Sequence, residues 1–339
     1  MKKKVDLPIV EPIYGTYHFQ GCGSAVIYSN PSIKNWYLNE VMNLKCNRNF
    51  LFGYSTPRFS VNRSIFHDNP HLDKRQYSMK YLDGYVNTLI RKLIDNGCYV
   101  HFDVIDDYYI EGKTWYKQRH FSHDGLICGY DQEKKTYSIY AYDENWVYRK
   151  FEITQKSFNK SRRYMAKQGR YGSLYSIKPL DNIVELDPNA IISNLKEYLD
   201  SSLEKYPPTE NAVAYGVVVH DYATMFIDKL YDGSIPYERT DRRAFRILWE
   251  HKRTMYDRIV ETEKLLGLDT VSSTDYAVIV NDANTVRMLY ASHVLKRRDS
   301  VLPVIRKKIL SIKEREIEIL ESFINKVGGV LKNEVVELH

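Results

Sequence analysis

The sequence predicts an α+β domain followed by a mostly α-helical one, on three observations. The first is a hairpin pattern. Phe121-Ser122-His123-Asp124-Gly125-Leu126-Ile127-Cys128-Gly129-Tyr130-Asp131 opens on a histidine and runs apolar, and Thr136-Tyr137-Ser138-Ile139-Tyr140-Ala141-Tyr142 returns after the polar turn Gln132-Glu133-Lys134-Lys135. Period-two aromatic and β-branched residues on both sides of such a turn read as antiparallel strands. The second is the order of elements, with helical periods before residue 95 and strand alternation from residue 98 to about 153. The third is a change of character near residue 178, after which strand patterns nearly vanish. These place an α+β domain at 1–178 and a helical domain at 179–339.

A chain of 339 residues holds ample material for two cores. With 27% charged and 43% hydrophobic residues the composition is that of a globular protein, and no run of about 18 apolar residues predicts a membrane span. The N-terminal Met1-Lys2-Lys3-Lys4 leads into no apolar signal region, so a cytoplasmic location is expected. Tyrosine is abundant, 29 residues, but spread along the whole chain, which reads as compositional bias. The net charge of +6, from 49 basic and 43 acidic residues, is too mild to call for nucleic acid. Cys22, Cys46, Cys98 and Cys128 are widely and irregularly spaced without a CxxC, so no metal, redox motif or cofactor is expected.

Taken in order, residues 1–20 read as an extended arm. A helix is predicted to begin near Cys22 and to end at Pro31, and a second to span 36–44. Phe50-Leu51-Phe52-Gly53-Tyr54 reads as a short strand and 58–74 as a polar surface loop. Residues 81–95 carry a helical period that stops at Asn96-Gly97. Strands are predicted at 98–104 and 146–153, flanking the hairpin. Helices follow at 190–203, 221–230, 241–266, 273–297 and 301–327. The last shows Ile305, Ile309, Ile312, Leu320, Phe323 and Val327 on one face.

The hairpin carries the chemistry. His123 opens its first strand and Asp143 follows the second, so antiparallel pairing sets them side by side. An imidazole held by a carboxylate is the base half of a nucleophilic triad. His120 is a rival base three residues earlier. The nucleophile candidate is Cys22 in Gly21-Cys22-Gly23-Ser24-Ala25, where a first-turn position would lower its pKa. The plain alternative is a small buried residue, as most free cysteines are.

With these residues in hand, the first half resembles the N-terminal domain of the butirosin biosynthesis protein H family, papain-like cysteine enzymes related to the bacteriocin-processing double-glycine peptidases. The matching residues are Gly21-Cys22-Gly23-Ser24-Ala25, Leu38-Asn39-Glu40-Val41-Met42 before Phe50-Leu51-Phe52-Gly53-Tyr54, and His123-Asp124-Gly125-Leu126-Ile127-Cys128-Gly129-Tyr130-Asp131 with Asp143 after the next strand. The similarity covers about residues 12–155. It implies a papain-like fold and a Cys22–His123–Asp143 triad. Papain-like peptidases carry a glutamine six residues before the cysteine for the oxyanion hole; Thr16 stands there, and the nearest glutamine is Gln20. The implied oxyanion donors are then the Cys22 backbone N–H and Gln20.

The resemblance further implies acyl transfer through a thioester on Cys22, from a carrier-protein thioester to a small-molecule amine, forming an amide in antibiotic biosynthesis. Hydrolysis by the same triad, as a peptidase or thioesterase, is the alternative, and a non-catalytic scaffold with a buried Cys22 distant from His123 is another. Acyl carrier proteins are acidic. Arg242, Arg246 and Arg253 lie at spacings of four and seven, which sets one helix face to steer such a donor, or else to serve as a solvated surface.

Overall fold

A computed structural model describes residues 2–52, 57–61, 68–201 and 213–337. In chain order the elements are β1 (Lys4–Asp6), α1 (His18–Tyr28), α2 (Pro31–Glu40), β2 (Leu44–Asn47), β3 (Phe59–Val61), β4 (Leu72–Ser78), α3 (Val86–Asp95), β5 (Tyr99–Asp106), β6 (Ser122–Asp131), β7 (Thr136–Tyr142) and β8 (Tyr148–Thr154). Then come α4 (Gln155–Lys167), β9 (Ser173–Pro179), α5 (Pro188–Asp200), β10 (Val213–Tyr215), α6 (Val219–Tyr231), α7 (Ala244–Leu265), α8 (Val271–Lys296) and α9 (Leu302–Glu337). The chain forms two compact units, 1–34 with 65–184 and 35–64 with 185–339. The expected boundary at 178/179 thus moves a few residues along, and segment 35–64 groups with the helical unit.

The first unit is built on an antiparallel sheet of order β4-β9-β5-β6-β7-β8, with β1 also paired to β6. The predicted hairpin is β6–β7, in register Leu126↔Tyr140 and Asp131↔Thr136. Strand β6 is shared along its length, pairing β5 from Ser122 to Ile127 and β1 from Gly129 to Asp131. Gly125 is required there, since a Cβ would lie 2.6 Å from the Phe102 ring across the ladder. Val86, Ile90 and Ile94 of α3 and Phe158 of α4 cover one face, packing on Val100, Phe102, Ile127, Ile139 and Leu174. His101, between Val100 and Phe102, therefore points to the opposite face. There it meets Asp124 of β6, whose partner on α1 is His18.

Several local expectations change. Helix α1 starts at His18, four residues before Cys22, and Pro31 opens α2 rather than closing α1. Proline suits a first helical position because its missing N–H is one that would go unpaired anyway. The stretch 58–74, expected as a loop, contributes β3 and the start of β4; α4 and β9 were not foreseen. Residues 49–52 form a 3-10 turn instead of a strand, while Gly53 and Tyr54 lie outside the described residues.

The second unit holds α5 to α9 and a small antiparallel sheet of order β10-β2-β3, which its helical composition concealed. The apolar stripe of α9 is buried as its period predicts, with Ile305, Ile309, Ile312, Leu320, Phe323 and Val327 inaccessible. Phe226 of α6, Phe245 of α7 and Tyr290 of α8 form an aromatic cluster, with 4.7 Å between the Phe245 and Tyr290 rings. Within this core a polar knot takes one residue or more from each helix. Glu316 of α9 accepts hydrogen bonds from Lys252 of α7 at 2.6 Å, Tyr198 of α5 at 2.9 Å and Tyr276 of α8, with His220 of α6 at 3.6 Å.

Candidate functional site

Cys22 lies in the second turn of α1, completely buried. Its Sγ is 3.3 Å from the Tyr148 hydroxyl. Burial is the main force pushing the thiol's pKa up, with the Asp124 charge adding to it; the hydrogen bond from Tyr148 opposes. The helix-dipole activation expected for a first-turn cysteine does not apply, because the orphan N–H groups belong to the residues at and just after His18. The Cys22 N–H is spent on the His18 carbonyl in the α-helical pattern. Gln20, two residues ahead on the same helix, projects from a different side, so it is not placed beside Sγ.

His18, four residues before Cys22, shares its helix face. Its Nδ1 is 2.8 Å from Asp124 Oδ1, and His101 Nε2 is 3.1 Å from Asp124 Oδ2. Burial lowers the His18 pKa to about 4, against the raising effect of Asp124, so the ring is neutral at pH 7. Burial alone would raise Asp124, but hydrogen bonds from His101 and His18 outweigh it and hold the carboxyl well below its usual range. With Nδ1–H donating to Asp124, His18 presents a bare Nε2, which is buried and has no hydrogen-bond partner among the described residues.

His123 joins the same cluster. Its ring stacks on His18 at 4.0 Å with 20° between planes, and Tyr142 stacks on His18 at 4.9 Å. The carboxylate that holds His123 is Asp107, at 3.1 Å from Nδ1. Lys113, almost fully buried, sets its Nζ 3.4 Å from His123 Nδ1 and 3.6 Å from Asp107 Oδ1. Burial lowers the Lys113 pKa, while Asp107 and Asp124 work against that. The cluster is thus two stacked imidazoles, each held by its own carboxylate, with the Cys22 thiol one helix turn from His18 and in contact with Tyr148.

Asp143 is not the partner of His123. The hairpin register, extended past Leu126↔Tyr140, does set residue 143 across from residue 123, but the side chain serves its own turn. Oδ1 accepts from the N–H groups of Asn145 at 2.8 Å and Val147 at 2.9 Å, and Oδ2 accepts from Arg149. Those donors, against the raising effect of burial, depress its pKa. An aspartate two and four residues before available N–H groups closes its own turn more readily than it reaches a neighbouring strand. The rival base lies elsewhere. His120 pairs with Asp106 at 2.5 Å and is sandwiched between Tyr164 and Tyr108 at 4.2 and 4.5 Å, apart from the His18–His123 stack.

His18, His123 and Asp124 also bring donor atoms within 4.8 Å of one another, which is metal-ligand proximity. The two rings lie face to face, 20° apart in plane.

His18, His101, Asp107, Lys113, Asp124 and Tyr148 were not foreseen as site residues. His18 had a readable sign, its four-residue spacing from Cys22; the others come together only through strand pairing. In the helical unit Arg246 is neutralised by Glu250 at 2.8 Å, and Arg253 lies over the Trp249 ring at 4.8 Å. Arg287 of α8 covers the same ring at 4.3 Å, and Arg242 is exposed just before α7. Arg242 precedes the helix, so only Arg246 and Arg253 of the expected face lie on α7, the first ion-paired and the second against tryptophan. Comparison with protein-family models and with curated proteins returns no match for this chain.

Proposed function

We propose that the first unit is a cysteine-dependent acyltransferase of papain-like type, forming an amide from a thioester in the assembly of a small-molecule natural product such as an antibiotic. One observation carries this reading: Cys22 stands one helix turn from His18 and touches Tyr148, the His18 ring stacks on His123, and each imidazole is oriented by a carboxylate. His123 takes the Cys22 proton while Asp107, not Asp143, fixes its tautomer. The thiolate attacks the acyl carbonyl, the leaving thiolate regains the proton, and the acyl group waits on Cys22 for an amine. A thioester donor favours aminolysis over hydrolysis wherever water is kept from the acyl-enzyme, which sets the transferase reading above the peptidase or thioesterase one. The donor is an acyl carrier protein or another thioester, and the Arg242, Arg246 and Arg253 face is its proposed docking surface.

Product analysis tests this. Incubation with an acyl N-acetylcysteamine thioester and a primary amine is expected to yield amide in excess of free acid. Free acid alone points to hydrolysis. A second reading, a non-catalytic scaffold, is favoured by one specific observation: Cys22 is wholly buried and its thiol pKa is raised. A protein whose Cys22 resists iodoacetamide at every pH from 6 to 10 supports that scaffold instead.

A further inference from the structure

An acyl-transfer centre needs a donor for the oxyanion, and the residues that sequence reasoning supplies are both disposed of by α1. Because the helix begins at His18, the Cys22 N–H is committed to the helical ladder, and Gln20 leaves the helix on another side. The hydroxyl of Tyr148 instead sits 3.3 Å from Sγ. We infer that Tyr148 is the oxyanion donor of this site, acting on the carbonyl oxygen of a thioester or other activated acyl group bound at Cys22. This role rests on the acyl-transfer reading above.

Three features support it. First, the oxygen of a tetrahedral adduct is two bonds from Sγ, within reach of a hydroxyl already touching the sulfur. Second, Tyr148 keeps its proton: burial, with the neighbouring Cys22, raises its pKa well above the ordinary value, so it remains a donor at neutral pH. Third, its position is built in. Tyr148 is buried between Tyr140 and Tyr142, each at 5.0 Å, and lies 5.3 Å from the His18 ring. Its ring occupies the space that a side chain on Gly21 would take, 2.8 Å from where a Cβ would stand. Glycine before the nucleophile thus makes room for the phenol.

The step balances without any other reactant. Cys22 gives its proton to an imidazole, and the sulfur bonds to the carbonyl carbon as the π pair moves to oxygen. Tyr148 donates its O–H to that oxyanion. The carbonyl then re-forms, the bond to the departing sulfur breaks, and the imidazolium returns the proton to the leaving thiolate. The amine repeats the sequence in reverse on the acyl-Cys22. In the resting protein the hydroxyl holds the thiol; as the acyl group enters, it passes from sulfur to oxygen.

The test separates reactions that form an oxyanion from one that does not. Acylation of Cys22 by acetyl and benzoyl N-acetylcysteamine thioesters is followed by intact mass, and alkylation by iodoacetamide in parallel, with folding checked by circular dichroism. Tyr148→Phe is expected to slow acylation about 10²- to 10³-fold, the range for loss of one such donor, while alkylation is unchanged or faster. Gly21→Ala, which displaces the hydroxyl without removing it, is expected to show the same selective loss. Equal acylation of wild type and Tyr148→Phe overturns this role and leaves the acyl-transfer reading standing; parallel losses in both reactions also overturn it, marking a packing role. A wild type that takes up neither acyl group overturns the acyl-transfer reading and this role together.

Discussion

At the scale of single residues, the proposed chemistry depends on which carboxylate serves which imidazole. Asp107 holds His123, whereas Asp143 holds its own turn and Arg149. Asp107→Asn is therefore expected to cut Cys22 acylation at least about 10²-fold, as loss of the base itself does in His123→Ala. Asp143→Asn is expected to lower stability by about 1–2 kcal/mol through the weakened turn and ion pair, with acylation nearly intact. Single-turnover acylation rates and urea midpoints check both. The reverse ranking, with Asp143→Asn inactive and Asp107→Asn active, returns the triad to its sequence-based form. Cys22→Ala is expected to abolish acylation and to fold, while Cys46, Cys98 and Cys128 variants stay active. The sequence displayed Cys22 and His123 openly, because each stands beside glycines or at a strand start. It concealed their partners because Asp107, Lys113 and Tyr148 come into contact with them only through a bulged β5–β6 ladder and a turn after β7.

Among elements, α1 and α9 behave in opposite ways. Helix α1 is glycine-rich and uncapped, so its start could not be read from composition; burial of Cys22, Ala25, Val26 and Ile27 holds it in place. Helix α9 was legible by its apolar period, but its buried Glu316 was not, since a charge on a long exposed-looking helix ordinarily faces water. Lys252 and Glu316 are fully buried and joined at 2.6 Å. Lys252→Met is expected to destabilise by about 3–5 kcal/mol, because it leaves a buried carboxylate without its cation. Adding Glu316→Leu to that variant is expected to restore much of the loss. Thermal unfolding of the single and double variants checks this, and a double variant no better than the single one contradicts it.

For the molecule as a whole, buried titratable groups set the response to acid. Burial depresses His220 to about 4, and Lys252 with its neighbours brings Glu316 to about 2 although burial acts the other way. Both folded values lie below the ordinary ones of 6.5 and 4.5. Each group's contribution is therefore complete above its ordinary value and is lost as pH falls towards its folded one. His18, depressed to about 4, adds to the loss in the first unit. The melting temperature is expected to fall steadily below pH 6.5, and His220→Gln to flatten the segment between 6.5 and 4; a melting curve unchanged from pH 7 to pH 4 contradicts this. The α+β class, the hairpin and the helical second half were all evident from period and order. The grouping of 35–64 with the helical unit was not, because β2 and β3 are short and β2 pairs with β10 from far along the chain. No helix among the described residues is long and apolar enough to cross a membrane.

In the proposed reaction Cys22 carries an acyl group, with His123 and its carboxylate supplying the base. Peptide mapping of the wild-type protein after brief exposure to a benzoyl N-acetylcysteamine thioester tests it most directly. A single benzoyl group on Cys22 is expected, absent in Cys22→Ala and discharged faster when a primary amine is added. Benzoyl groups scattered over lysines, or a Cys22 that stays unmodified while the Cys22→Ala protein turns over, would contradict it.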